Sequence, residues 1–67
     1  MQGQIDRIFA LIDEPVVADR AIALIKKRAS QETLTQNEKR LLNYLDNLLA
    51  GRIPLETYLG ADKQFGR

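Results

Sequence analysis

Residues 34–60 read LTQNEKRLLNYLDNLLAGRIPLETYLG, and this stretch carries the clearest signals in the chain for where a helix begins and ends. Within it a leucine recurs every seven residues, which is the pattern of a leucine zipper: Leu34, Leu41, Leu48 and Leu55. Gly51 and Pro54 interrupt that pattern, and a glycine followed by a proline ends a helix instead of extending it. We therefore predict a short leucine-rich helix that buries its apolar stripe within a small domain.

The clearest helix start lies at Thr35, because the sequence Thr-Gln-Asn-Glu fits a capping box. In such a box the Thr35 hydroxyl accepts from the backbone N–H of Glu38, and the Glu38 carboxylate accepts from the N–H of Thr35. The helix is predicted to continue to residue 49 or 50. Its core stripe covers about a third of the circumference and consists of leucines, namely Leu41, Leu42, Leu45, Leu48 and Leu49.

Two helices are predicted ahead of this one. The first covers about residues 4–12, where apolar residues have the spacing of one helix face: Ile5, Ile8, Phe9 and Ile12. The second begins at Pro15, which is tolerated in a first turn, and continues to Arg28. Its buried face is predicted to hold Val17, Ala18, Ala21, Leu24, Ile25 and Ala29. A kinked continuation of the first helix through Pro15 is the alternative.

The chain beyond the leucine-rich helix is predicted to turn back on it. Gly51 would adopt a left-handed conformation that caps the helix, and Ile53 would fold back onto the helix end. A short fourth helix or turn would cover residues 54–59 and end at Gly60. We expect residues 61–67 to form a flexible tail. The predicted fold is thus all-α, a small three-helix bundle with a short fourth C-terminal element, in a single domain over residues 1–60.

Composition limits the chemistry that the chain can perform. The sequence has neither cysteine nor histidine, so the thiol nucleophile, the commonest general base and the usual zinc ligands are missing. We therefore predict no enzymatic activity, no cofactor and no metal. We also expect a cytoplasmic protein, since we find no signal peptide at the N-terminus and no apolar run that could span a bilayer.

The supply of apolar residues is larger than one small core requires. Leu11 and Ala23 lie off the predicted core stripes of their helices, and several aromatic residues have no obvious inward position. Together they indicate a surface that binds another protein or a second copy of the chain. We therefore predict a regulator, adaptor or inhibitor that is a homodimer, and the candidate contact residues are Tyr44, Leu49, Tyr58 and Phe65.

The alternative function is a small DNA-binding transcriptional regulator of the helix-turn-helix type. Five basic residues flank one loop and could form a single nucleic-acid-binding patch: Lys26, Lys27, Arg28, Lys39 and Arg40. The net charge argues against this alternative. It is only +1, whereas proteins that bind a DNA duplex usually carry a strongly basic surface. The basic residues also suit the ends and solvated faces of helices. We rank nucleic-acid binding below protein binding.

Overall fold

The chain folds into four helices joined by short turns, as a computed structural model of residues 2–66 shows. The helices are α1 (Gln2–Leu11), α2 (Pro15–Ala29), α3 (Gln36–Leu49) and α4 (Leu55–Phe65). Residues 2–66 contain no strand, which confirms the all-α class. α2 packs against α1 and α3, and α3 packs against α4. None of these helices combines the length and apolar character needed to cross a membrane.

Helix α3 forms as its sequence predicts. The Thr35 hydroxyl accepts a hydrogen bond from the Glu38 backbone N–H at 3.1 Å, and the Thr35 N–H donates to the Glu38 carboxylate at 2.8 Å. These two bonds satisfy backbone and side-chain groups that the first helical turn would otherwise leave unpaired. The predicted stripe is also confirmed, because all of its leucines are buried: Leu41, Leu42, Leu45, Leu48 and Leu49.

The turn after α3 is a Schellman motif. Gly51 has a φ of +77°, and its N–H donates to the carbonyl of Leu48 at 3.0 Å. The next N–H, that of Arg52, donates to the carbonyl of Asn47 at 2.8 Å, so the last carbonyls of the helix are paired. Ile53 then packs against the core, as predicted.

The first two helices differ from the prediction in detail. Pro15 does begin a separate helix, but Phe9 of α1 is 56% exposed and does not face the core. Ile8 and Ile12 are buried, as predicted, and Ile5 is half-buried. Phe9 follows Ile8 by one residue and is therefore turned about 100° away from the contact that this short helix makes. Ala29 was also predicted to be buried and is exposed, because it is the last residue of α2.

Helix α4 is longer than predicted. It does not end at Gly60 but continues to Phe65, so the flexible tail expected from residue 61 is wrong for residues 61–65. The physical reason is tertiary contact: Ala61 is buried in the core, and the buried Asp62 pairs with Arg20 of α2, so these contacts stabilise a helix that a glycine alone would weaken. Gly60 itself lies on the exposed side, where a missing side chain leaves no gap. Arg67 lies outside the described residues.

The core contains side chains from all four helices. Ile8, Leu45 and Tyr58 are fully enclosed at its centre. Leu34, Leu55 and Leu59 are half-buried and pack against its edge. The heptad of leucines therefore spans three segments of a folded-back chain and is not the seam of one long helix.

Candidate functional site

An open groove of about 670 Å³ lies between α2, the beginning of α3 and the end of α4. Its wall on α2 is formed by residues on one helix face, and Ala23 at the middle of that face is exposed. The apolar part of the lining consists of Ala23, Leu24, Leu41 and Phe65. The polar part consists of Arg20, Lys27, Thr35, Gln36, Asn37 and Glu38, and Gly66 also lines the groove.

An aromatic cluster marks the α4 side of the groove. The ring of Phe65 stacks on that of Tyr44, with a centroid separation of 6.4 Å and an interplanar angle of 29°. The guanidinium carbon of Arg40 lies 5.5 Å from the centre of the Phe65 ring, which is within the range of a cation–π contact. Tyr44 and Phe65 are both half-buried.

One ion pair holds the end of α4 against α2. Arg20 forms a two-bonded pair with Asp62, with its Nε donating to Oδ1 at 3.1 Å and its terminal nitrogen donating to Oδ2. Asp62 is only 4% exposed, whereas Arg20 remains open to water. The hydrogen bond to Asp62 raises the pKa of Arg20 above its ordinary value. The Gly66 N–H donates to the Asp62 carbonyl at 2.7 Å and ends the helix.

A second ion pair joins α2 to the beginning of α3 across the groove. The Lys27 amine donates to both carboxylate oxygens of Glu38, at 2.9 and 3.1 Å. The backbone N–H of Thr35 and then the Lys27 amine lower the pKa of the Glu38 carboxyl below its ordinary value. The two ion pairs together fix the three elements that form the walls of the groove.

The four predicted contact residues separate into two groups. Tyr44 and Phe65 meet beside the groove, where a partner could reach them. Tyr58 and Leu49 are core residues, at 0% and 8% exposure, so their assignment to a contact surface is wrong for the folded chain. Tyr58 is buried because α4 continues past Gly60 and lies along α3. Ala23, an apolar residue off the predicted core stripe of α2, lines the groove.

The hydroxyl of Tyr58 has no hydrogen-bond partner among residues 2–66. Burial and, to a lesser degree, the charge of Asp62 raise the pKa of this hydroxyl to about 12. A smaller pocket of about 270 Å³ lies nearby and is lined by Glu14, Val17, Arg20, Leu59, Asp62 and Lys63. Arg20 and Asp62 pair with each other in this pocket, so these two charged groups are already engaged within the chain.

The five basic residues of the DNA-binding alternative differ in the contacts that their side chains make. Lys27 pairs with Glu38. Arg28 pairs with Asp46 through two bonds of 2.9 and 3.1 Å, which raise its pKa. Arg40 lies over Phe65, while Lys26 and Lys39 are exposed. Two of the five charges are thus balanced by carboxylates of the same chain.

Residues 2–66 hold no cluster of three or more aspartate, glutamate, histidine or cysteine side chains that could bind a metal ion. Comparisons of the chain with protein-family models, with curated proteins and with solved structures gave no match.

Proposed function

We propose that this protein is a non-enzymatic interaction module that contacts another protein, or a second copy of itself, through the groove. The observation that supports this proposal most directly is the aromatic cluster of Arg40, Tyr44 and Phe65 beside an apolar wall. Tyrosine and arginine are enriched among the residues that dominate protein–protein binding, because they bury a large area and retain polar contacts. The module would act as a regulator, adaptor or inhibitor by occupying a partner's surface.

The shape of the groove also favours a protein segment as its ligand. It is open to solvent and one of its walls is a helix face, and an amphipathic helix can bind to such a surface with residues spaced three and four apart. Ala23 supports this mode because a small side chain on the wall allows a second helix to approach closely. The absence of cysteine fits a reducing compartment, and we place the module in the cytoplasm.

The test is capture of proteins from a lysate of the native host with tagged wild-type chain and two variants. Ala23→Arg places a long charged side chain within the groove, and arginine is well tolerated in helices. Asn43→Arg adds the same charge on the exposed face of α3, outside the groove. We expect the wild type and Asn43→Arg to retain the same protein, which can be an untagged copy of the chain, and Ala23→Arg to lose it.

Two results would contradict the proposal. Equal capture by Ala23→Arg and Asn43→Arg would show that binding does not use the groove. Retention of a nonspecific DNA duplex at low salt, with a steep loss as salt rises, would instead support the DNA-binding alternative. Both variants must first give the wild-type helical circular dichroism spectrum and melting temperature.

A further inference from the structure

The two halves of α4 are held in the molecule by different contacts. In the first half Tyr58 is fully enclosed in the core. Gly60 follows within the helix, where glycine is a poor helix former. In the second half Ala61 is buried but small, and the buried Asp62 pairs with Arg20. Among the ion pairs of the described chain, this is the one that joins α4 to α2.

The Arg20–Asp62 pair cannot break while the end of α4 stays in place. Asp62 is 4% exposed, so its carboxylate would lose the guanidinium of Arg20 and gain no water. A buried charge without a partner is strongly unfavourable. The carboxylate returns to water only if residues 61–66 move away from α2. Loss of the pair and opening of this segment therefore occur together.

Gly66 adds a steric condition to the same contact. Its N–H donates to the Asp62 carbonyl at 2.7 Å. A Cβ added at Gly66 would overlap that carbonyl oxygen and would lie 2.9 Å from Oδ1 of Asp62. The pairing position of Asp62 thus requires a residue without a side chain at the helix end.

The same segment supplies one wall of the groove. Phe65 and Gly66 are the groove-lining residues that come from the end of α4. Phe65 also carries the aromatic cluster, because its ring stacks on Tyr44 and lies beneath the Arg40 guanidinium. If α4 ended near Gly60, the groove would lose this wall and the cluster together.

We infer that residues 61–66 form a hinged strap that assembles the groove, closed by the Arg20–Asp62 pair and opening at Gly60. The closed state is the one described above, and in the open state α4 ends near Gly60. The inference rests on the proposed function, because the strap controls the same site. A partner that contacts Phe65 binds the closed state and shifts the population towards it. Occupation of the groove and folding of the strap are therefore reciprocally coupled.

The test is amide hydrogen exchange of the whole chain, resolved residue by residue with NMR. In the wild type we expect the strap amides to exchange faster than those around Leu45, because the strap opens without unfolding of the core. Arg20→Gln should speed exchange of the strap amides by about tenfold. Arg28→Gln is the matched control: it breaks the Arg28–Asp46 pair on the same helix, which is present in both strap states, and should leave the strap rates unchanged.

Two glycine variants test the strap without a change of charge. Gly60→Ala favours the helix of the closed state and should slow exchange of the strap amides by about two- to fivefold. Gly66→Ala should speed it, because the added Cβ displaces Asp62. Gly60→Ala strengthens the fold, so this part of the test remains if Arg20→Gln does not fold. Unchanged strap rates in Gly60→Ala would overturn the inference.

The link between strap and groove has a readout of its own. Protons of the Arg40 side chain lie over the Phe65 ring and should have NMR signals shifted upfield by it. Arg20→Gln combined with Gly66→Ala should remove most of that shift, whereas Arg28→Gln should keep it. An unchanged Arg40 shift in a double variant with fast strap exchange would show that the strap does not carry the wall.

Further outcomes separate this inference from the proposed function. A rise in exchange that is graded from the C-terminus, instead of shared by the strap amides, would be ordinary fraying and would overturn the inference. Equal exchange of strap and core amides in the wild type would also overturn it, while capture that depends on Ala23 would still support the proposed function. Conversely, a strap that opens as expected, in a chain whose capture ignores Ala23→Arg, would support the inference and contradict the proposed function.

Discussion

At the scale of single residues, Tyr58 combines full burial with an unpaired hydroxyl. Its ring fills the centre of the core beside Ile8 and Leu45, but the oxygen has no hydrogen-bond partner among the described residues. Burying a hydroxyl without a partner costs free energy, since the group loses its bonds to water. The ring therefore stabilises the fold while the oxygen opposes it.

Tyr58→Phe separates the two contributions. At pH 7 we expect the variant to be as stable as the wild type or more stable by about 1 kcal/mol, because it deletes an unsatisfied polar atom and keeps the ring. Urea unfolding followed by circular dichroism would measure the change. Tyr44→Phe is the control, as it removes a hydroxyl from a ring at the surface. A loss of more than about 1 kcal/mol in Tyr58→Phe would show that the hydroxyl has a partner.

The same residue predicts an alkaline limit to stability. The folded-state pKa of Tyr58 is about 12, raised from an ordinary value of 10.0, so the folded state favours the neutral phenol. Its contribution is fully present below pH 10 and is lost as the pH rises from about 10 towards about 12. We expect the unfolding free energy of the wild type to fall across that window, and that of Tyr58→Phe to fall less. If the unfolding free energies of the wild type and Tyr58→Phe fell equally across that window, the raised pKa could not belong to Tyr58.

At the scale of elements, the ends of a helix can be predicted from local sequence only where hydrogen bonds between neighbouring residues fix those ends. The start of α3 could be predicted because Thr35 and Glu38 satisfy each other's groups within four residues, and the end could be predicted because Gly51 needs a positive φ. The second half of α4 could not be predicted. Gly60 is a weak helix former, and the burial of Ala61 and Asp62 that overrides it depends on the position of α2.

Two glycine substitutions test this difference between α3 and α4. Gly60→Ala should stabilise the domain by about 0.5–1 kcal/mol, because Gly60 lies within a helix and an added Cβ meets nothing within 4 Å. Gly51→Ala should destabilise it by about 1 kcal/mol, because alanine is strained at a φ of +77°. Thermal melts of both variants provide the measurement. Destabilisation by Gly60→Ala would show that α4 does end near residue 60.

The N-terminal cap of α3 leads to two predictions. One is a loss of stability when the Thr35 hydroxyl is removed, and the other is a pH dependence of stability that comes from the Glu38 carboxyl. Thr35→Ala should cost about 1 kcal/mol through loss of the hydroxyl that accepts from Glu38. The lowered pKa of Glu38 means that its contribution is present above its ordinary pKa of 4.5 and is lost as the pH falls below it. Acid titrations of stability should therefore keep this dependence in Thr35→Ala and lose it in Glu38→Gln. The reverse pattern would contradict the capping geometry.

At the scale of the whole molecule, the small core takes most of the apolar residues and the groove exposes several of the others. Which aromatic residues turn inward could not be predicted from the sequence, because Tyr58 and Tyr44 have similar chemistry and differ only in where neighbouring helices lie. The groove could not be predicted from the sequence either, because its walls come from three helices held by two ion pairs between distant parts of the chain. Only the surplus of apolar residues, Ala23 and Phe65 among them, indicated such a surface.

Leu45→Ala tests the shared core. Leu45 is fully enclosed in the middle of α3, so its truncation leaves a cavity and should cost about 2–5 kcal/mol, a large fraction of the stability of so small a domain. Chemical denaturation would give this value. An unchanged midpoint would mean that the helices do not pack around Leu45 as described.

The groove is the surface through which we propose that this protein contacts another protein. The most direct measurement is photo-crosslinking in cells of the native host, with a photoreactive amino acid in place of Ala23 and, as the control, in place of Asn43. We expect a protein adduct from position 23 and none from position 43. The absence of an adduct at position 23, or equal adducts at both positions, would contradict the proposal.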